Sequence, residues 1–370
     1  YTNQDDLIVT GAVEGWGEVL VTVNSRPATL RGDNFVSTPI PLEEGENTIL
    51  VEATDENGSK AEYSLIVYCD KTPPIITDLI PLNNQILASN SVAVTGKIMD
   101  NSPVSVYVNG KVSNRQKGTF YNNIILEDGA HQIRVKATDL AGNTSYSLID
   151  VIVDTTPPLP FAAHADPTGW SSNNQPVITF ETADETSGIS HYEWSVNHGV
   201  FQLATSPLQL PPQPDGEHTV TIKAFDYAGW ETISSVQIYI DTTPPVVVSG
   251  FKAVPGDNKI IVSWEFNSET DIKEYLLWRI PAFPQEALKC FRPDENCYID
   301  NDVDNLGSYQ YMIKAIDHVD NIGPEEETSF VRPGIAEKIV PPQEETVVEY
   351  ENVAIVVPVE ALPETKTLTI

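Results

Sequence analysis

The sequence predicts an all-β chain of four tandem sandwiches in an elongated rod, followed by a partial β segment. Three observations predict it: two short motifs that recur in fixed register, alternation of apolar and polar residues between them, and the absence of any helical period. The first motif is Ala-x-Asp, ending at Asp55, Asp139, Asp226 and Asp317 with steps of 84, 87 and 91 residues. The second is Asp-x-Thr-Pro-Pro, starting at Asp70, Asp154 and Asp241, each 15 residues after the corresponding aspartate. Two motifs at constant separation mark a repeated domain. The fourth copy departs, because Arg332, Pro333 and Gly334 stand where the second motif would begin.

Between these marks run segments such as Val104-Ser105-Val106-Tyr107-Val108 and Gln132-Ile133-Arg134-Val135-Lys136-Ala137, bounded by Gly, Asn, Pro and Asp. That pattern is half-buried antiparallel strand. Twenty-eight prolines spread over the chain, with no capped helical stretch, leave little room for helix. A unit of this length holds about seven short strands. With 53 acidic against 21 basic residues the net charge is −32, which repels phosphate backbones and anionic surfaces. Nucleic acid is therefore not an expected partner. No apolar run approaches the roughly 18 residues that would cross a bilayer, so membrane insertion is not expected either.

Units one and two align throughout: Val9-Thr10-Gly11 with Val94-Thr95-Gly96, Val21-Thr22-Val23-Asn24 with Val106-Tyr107-Val108-Asn109, and Leu42-Glu43-Glu44-Gly45 with Leu126-Glu127-Asp128-Gly129. On these residues and the Asp-x-Thr-Pro-Pro joints, the chain resembles the tandem immunoglobulin-like repeats of bacterial exported and cell-surface proteins. The third unit, with Pro167-Thr168-Gly169-Trp170 and Ala183-Asp184-Glu185-Thr186-Ser187-Gly188, looks like another branch of that group. The fourth is similar to fibronectin type III: Val262-Ser263-Trp264 matches its second strand with the core tryptophan, Tyr275 to Arg279 its third, and Tyr309 its corner tyrosine. The resemblance implies an extracellular or cell-surface location within a larger polypeptide.

The expected domains are 1–70 (short at its N-terminal edge), 71–154, 155–241, 242–333, and 334–370 as a linker over 335–350 plus strands of an incomplete module near Val353–Pro358 and Thr367–Ile370. The start at Tyr1, without Met or a leader, is expected of a processed product or a piece of something larger. Cys290 and Cys297, with six residues between them, are expected to close a local disulfide in an oxidising compartment, with Cys69 left over.

In a sandwich of this kind the loop between the second and third strands and the loop between the sixth and seventh lie at the pole where the chain enters. Three aspartates should therefore converge at each joint: Asp70, Asp100 and Asp139; Asp154, Asp184 and Asp226; Asp241, Asp271 and Asp317. The first step is 30 residues in every case. Carboxylates meeting in this way repel one another unless a cation neutralises them. Calcium suits the need, taking six to eight oxygens in flexible geometry, with Asn101, Glu185 and Asp320 as further candidate ligands. The alternative is that each aspartate separately caps its own turn. In the first unit Gly15, beside Glu14, occupies the loop slot, so no such site is expected there.

Of the six tryptophans, Trp264 and Trp278 are assigned to the core of unit four, while Trp16 and Trp230 fall in loops as candidate ligand-contact aromatics or joint packing. Catalysis finds no support: the six histidines are scattered, and no HExxH, GxSxG or phosphate-binding glycine loop occurs. The expected function is a non-catalytic, calcium-stiffened stalk of about 150 Å, four modules of roughly 35–40 Å each, as strands of about ten residues at roughly 3.3 Å rise imply. Two alternatives stand beside it. One is an adhesin or carbohydrate-binding accessory region of a secreted enzyme, meeting a surface glycan or protein; the other is a filament subunit that assembles with its own copies by adding its C-terminal strands.

Overall fold

Strands of alternating burial build the chain. The computed structural model describes residues 1–283 and 288–334 in full, together with the backbone of Glu337–Val340, Thr346–Tyr350, Val353–Val357 and Lys366–Thr369. Every regular element among the described residues is a strand. Two compact units emerge: Tyr1–Phe161 with Glu181–Glu193 and Ile222–Ser234, and Ala162–Phe180 with Trp194–Thr221 and Ser235–Ile370.

Within the first unit, the second module shows the plan most fully. One sheet orders Ile75–Ile80, Ser91–Met99, Thr119–Ile125 and Asn114–Gln116; the other orders Gln85–Leu87, Thr144–Val153, Gly129–Asp139, Val104–Val108 and Lys111–Val112. Gln85–Leu87 runs parallel to Thr144–Val153, and the other pairs are antiparallel. Along Ser91–Met99, Val92, Val94 and Ile98 point inward and Ala93 and Lys97 outward, as a period of two requires. They meet Val106, Phe120, Ile133, Val135 and Val151 in one core. Each such side chain contributes about 1.5–3 kcal/mol by leaving water. The first module repeats the plan around Val21, Val23, Phe35 and Ile49.

The Val-Thr-Gly match between these modules has a packing reason. A Cβ on Gly96 would stand 2.6 Å from the Phe120 ring and 2.9 Å from Leu79, and one on Gly11 would stand 2.6 Å from Phe35. In both modules a core ring lies against bare backbone.

The third module carries the long strands Ile189–Val196, Gly216–Asp226 and Glu231–Ile240. Its five-stranded sheet orders Trp170–Ser171, Glu231–Ile240, Gly216–Asp226, Ile189–Val196 and Gln202–Ala204, as in the second module. The fourth module has a three-stranded sheet of Lys252–Gly256, Lys259–Ser263 and Cys297–Asp300, and a four-stranded one of Lys289–Phe291, Ile272–Ile280, Gln310–Asp317 and Glu326–Glu327. Trp264 is buried and packs on Tyr275 and Phe291. The Asp304 N–H donates to the Tyr309 hydroxyl at 3.2 Å, the bond back to nearby backbone that a corner tyrosine makes.

Three expectations need correction. Trp278 is not core: alternation along Ile272–Ile280 buries Tyr275, Leu277 and Arg279, so Trp278 faces the other way with the Lys314 ammonium 5.4 Å over its ring. The buried Arg279 is satisfied by Asp300 at 2.5 Å and by the carbonyls of Pro281, Ala282 and Asp302, while the Tyr311 hydroxyl donates to the same Asp300 oxygen at 2.7 Å. No bond joins Cys290 to Cys297; their strands belong to different sheets of the sandwich, one paired to Ile272–Ile280 and the other to Lys259–Ser263. Finally, the stretch read as a linker contributes strands. Glu337–Val340 pairs with Lys366–Thr369, and Thr346–Tyr350 with Val353–Val357. The β-branched Ile339, Val340, Val347 and Val348 account for this; residues 341–345, including Pro341-Pro342, lie outside the described residues.

Gly96→Ala should destabilise the second module by about 1–3 kcal/mol, because the ring and Leu79 must shift to admit a methyl group. Urea denaturation of the chain, following the transition that this variant moves, reads the change directly.

Candidate metal centres at the module joints

The linker aspartates are held by their own sequence motif. Asp70 Oδ1 accepts the Thr72 N–H at 3.2 Å and the Thr72 hydroxyl at 3.1 Å; Asp154 does the same with Thr156 at 3.2 and 3.1 Å. Asp241 Oδ1 accepts the Thr243 N–H at 3.2 Å. This is the local turn that an Asp-x-Thr sequence favours. An acid from the preceding module grips the other side of each linker. Lys71 N–H and the Thr72 hydroxyl donate to Glu44, Thr155 N–H and hydroxyl to Asp128, and Thr242 N–H and hydroxyl to Asp215. The hydroxyls of Thr243 and Thr242 hold the Asp215 carboxyl below its ordinary range. These acids stand immediately before a glycine in all three modules, and sequence reading passed over their role.

The aspartates that end the sixth-strand segment cap the turn after it. Asp139 Oδ1 accepts the N–H groups of Gly142 and Asn143 at 2.6 and 2.8 Å, Asp226 Oδ1 those of Gly229 and Trp230 at 2.6 and 2.9 Å, and Asp317 Oδ1 those of Val319 and Asn321 at 2.9 and 2.8 Å. The side chain four residues past each aspartate then reaches the linker. Asn143 Nδ2 donates to the Asp70 carbonyl at 2.7 Å, Trp230 Nε1 to the Asp154 carbonyl at 3.0 Å, and Asn321 Nδ2 to the Asp241 carbonyl at 2.9 Å. Trp230 thus has the joint-packing role, while Trp16 is 81% exposed. Asn143 and Asn321 were not singled out from the sequence, although their constant offset from Ala-x-Asp was there to be read.

The loop aspartates complete the sites. Asp100 Oδ1 accepts the Ser102 N–H and hydroxyl at 2.7 and 2.8 Å, and Asp184 Oδ1 accepts the N–H groups of Thr186, Ser187 and Gly188 at 2.8–3.0 Å. The Asp271 carbonyl accepts the His318 N–H at 2.9 Å. Within each of the three triads, one carboxylate oxygen from every member lies within 4.8 Å of the others. Turn capping and convergence therefore coexist, since a carboxylate has two oxygens. Asp70 Oδ2, Asp154 Oδ2 and Asp226 Oδ2 are buried and accept no hydrogen bond. Such oxygens are costly unless something else satisfies them. Burial, with Asp154 adding to it, pushes the Asp226 carboxyl up, and burial together with Asp317, Asp271 and Asp215 does the same for Asp241. Of the further candidate ligands, Asp320 is taken by Lys273 at 2.5 Å. In the first module a Cβ on Gly15 would stand 3.5 Å from Asp55 Cβ, so glycine fills the place beside the strand-end aspartate where the other modules set their loop carboxylate.

Residues 1–70 and 74–155 match the family described as glucodextranase, domain B. The chain is a tandem of immunoglobulin-like modules followed by a fibronectin III-like one. It is similar to Bacillopeptidase F of Bacillus subtilis (strain 168), 31% identical over 160 residues that make up 42% of this chain and 11% of that protein. Among solved structures it is similar to a three-Ig fragment of titin (11% identity, 64% of this chain and 93% of that one, TM-score 0.38) and to a tetra-tandem repeat from the extending region of a large adhesion protein (18%, 89% and 95%, TM-score 0.32). The fold assignment rests on the strand order of the sheets rather than on these likenesses.

Asn143→Ala should cost about 1–3 kcal/mol, since it strips one hydrogen bond from the Asp70 carbonyl and one from Asp139 Oδ2, both part-buried. Hydrogen exchange should show faster amides over Asp139–Asn143, with the first module's Gly45–Asp55 strand unchanged.

Proposed function

We propose that this chain is a non-catalytic spacer of a larger extracellular polypeptide, whose joints are clamped by calcium. The observation that carries the reading is the shared makeup of the triads: one carboxylate from the linker and two from the pole of the module that follows, at three successive joints. An ion held there would tie the end of one module to the loops of the next. Asp70, Asp100 and Asp139 would hold the first ion, Asp154, Asp184 and Asp226 the second, and Asp241, Asp271 and Asp317 the third. The donor set is all oxygen and anionic, which suits a hard divalent cation and not zinc or copper. Calcium would supply the positive charge that offsets carboxylate repulsion, and the residues themselves supply position, all but Asp271 pinned by side-chain hydrogen bonds to their own turns. The absence of any helix long and apolar enough to cross a membrane among the described residues is compatible with this reading.

The similarity to a protein named as a peptidase favours a second version, in which the spaced part is an enzyme and this chain its accessory region. Both versions make the same demand on the joints.

Thermal melting of the chain in millimolar calcium and then in chelator tests the clamp. Extracellular sites bind at about 10⁻⁴–10⁻³ M, so saturation adds one or two kcal/mol per joint, a rise of roughly 5–10 °C for modules this small. Asp100→Ala, Asp184→Ala and Asp271→Ala should each remove part of that rise. A melting profile indifferent to chelator would leave the aspartates as turn caps only.

A further inference from the structure

The three triads differ in ways that bear on how strongly each would hold an ion. At the middle joint two buried oxygens accept no hydrogen bond, Asp154 Oδ2 and Asp226 Oδ2, on residues 0% and 2% exposed. At the first joint there is one, Asp70 Oδ2, on a residue 6% exposed; there Asp139 Oδ2 is already engaged by Asn143 Nδ2 at 2.7 Å. At the third joint Asp317 Oδ2 is engaged by Asn321 Nδ2 at 2.9 Å, and none of the three aspartates carries an orphaned buried oxygen. The difference at the middle joint has a simple origin. Its fourth-position residue is Trp230, whose single N–H is spent on the Asp154 carbonyl, whereas an asparagine amide has two hydrogens and can serve both the linker carbonyl and the strand-end carboxylate. Charge runs the same way: Lys273, paired with Asp320, also feels Asp317, so a cation already stands beside the third triad.

Resting on the calcium reading, we propose that the middle joint is the high-affinity site and that the joints fill in the order middle, first, third. An oxygen that has no other partner and little water gains the most from a cation, because nothing must be given up to coordinate it and the field is least screened. As calcium rises, the Asp154 joint tightens before its neighbours, and the chain stiffens stepwise instead of at one concentration. The single tryptophan substitution in the fourth-position series sets the order.

Calcium calorimetry and terbium luminescence on the full chain test this. Trp230 abuts the middle triad, so excitation through its indole should light terbium in the tightest class of sites. Asp184→Asn, which keeps an Oδ1 acceptor for the three loop N–H groups, should weaken that class by tenfold or more, while Asp100→Asn and Asp271→Asn leave it in place. Trp230→Phe should abolish the tightest-phase emission. If the tightest class survives Asp184→Asn and disappears in Asp100→Asn or Asp271→Asn, the order is wrong though calcium binding stands. If no class of heat or emission is seen, both the order and the calcium reading fall. Trp230→Asn offers a further check: by supplying a second amide hydrogen to Asp226 Oδ2 it should bring the middle joint's affinity toward that of the first, and an unchanged affinity would overturn the explanation offered for the order.

Discussion

A carboxylate has two oxygens, and at these joints each has a different task. One accepts N–H or hydroxyl hydrogens from its own turn and so fixes where the side chain stands, as Asp70 does with Thr72 and Asp226 with Gly229 and Trp230. The other is left buried without a hydrogen bond in Asp70, Asp154 and Asp226, and is taken by an asparagine amide in Asp139 and Asp317. The turn bonds alone would be satisfied by an isolated cap on any surface loop. They do not require linker, loop and strand end to meet within 4.8 Å, three times over. Mutual repulsion of close carboxylates in a partly buried site is the constraint to which the rest of the joint answers.

The linker is gripped from both sides. Glu44, Asp128 and Asp215 hold it to the module it leaves, and Asn143, Trp230 and Asn321 hold its first carbonyl to the module it enters. Proline follows at once, removing a donor and restricting the backbone. Each joint therefore has two hydrogen-bonded anchors that need no ion, and beside them a carboxylate triad that under the proposed reading would take one. Fold-level likeness would not distinguish this from any other string of sandwiches, since such modules host many functions; the chemistry of the joint is what points to a mechanical role.

Much of this could be read in the sequence because it recurs there. The period of the Ala-x-Asp and Asp-x-Thr-Pro-Pro marks placed the sandwiches, and the constant 30-residue step identified which loop aspartates would meet the linker. What escaped were features without a fixed chemical type. The fourth-position residue is Asn, Trp and Asn, so its shared role is visible only when geometry shows an N–H donor in each. Trp278 was expected in the core, yet strand phase is set by Tyr275 and Leu277, which leave it on the outer face. The same phase buries Arg279, and only the partners Asp300 and Tyr311, brought in from other strands, make that tolerable. The cysteine pair shows that closeness in sequence does not by itself make a disulfide: Cys290 and Cys297 stand on strands with different partners and no bond joins them. In the C-terminal stretch the β-branched Ile339, Val340, Val347 and Val348 favour strand despite the neighbouring Pro341-Pro342 and Glu344-Glu345.

The central claim is that each joint requires a cation. Equilibrium dialysis of the chelator-treated chain against millimolar calcium, beside the combined Asp100→Asn, Asp184→Asn, Asp271→Asn variant, counts the ions that the triads hold above those attracted by net charge. The account predicts three more ions on the native chain than on the variant. Equal binding by the two proteins would contradict it, and would leave the joints held by their amides, their acids and their prolines.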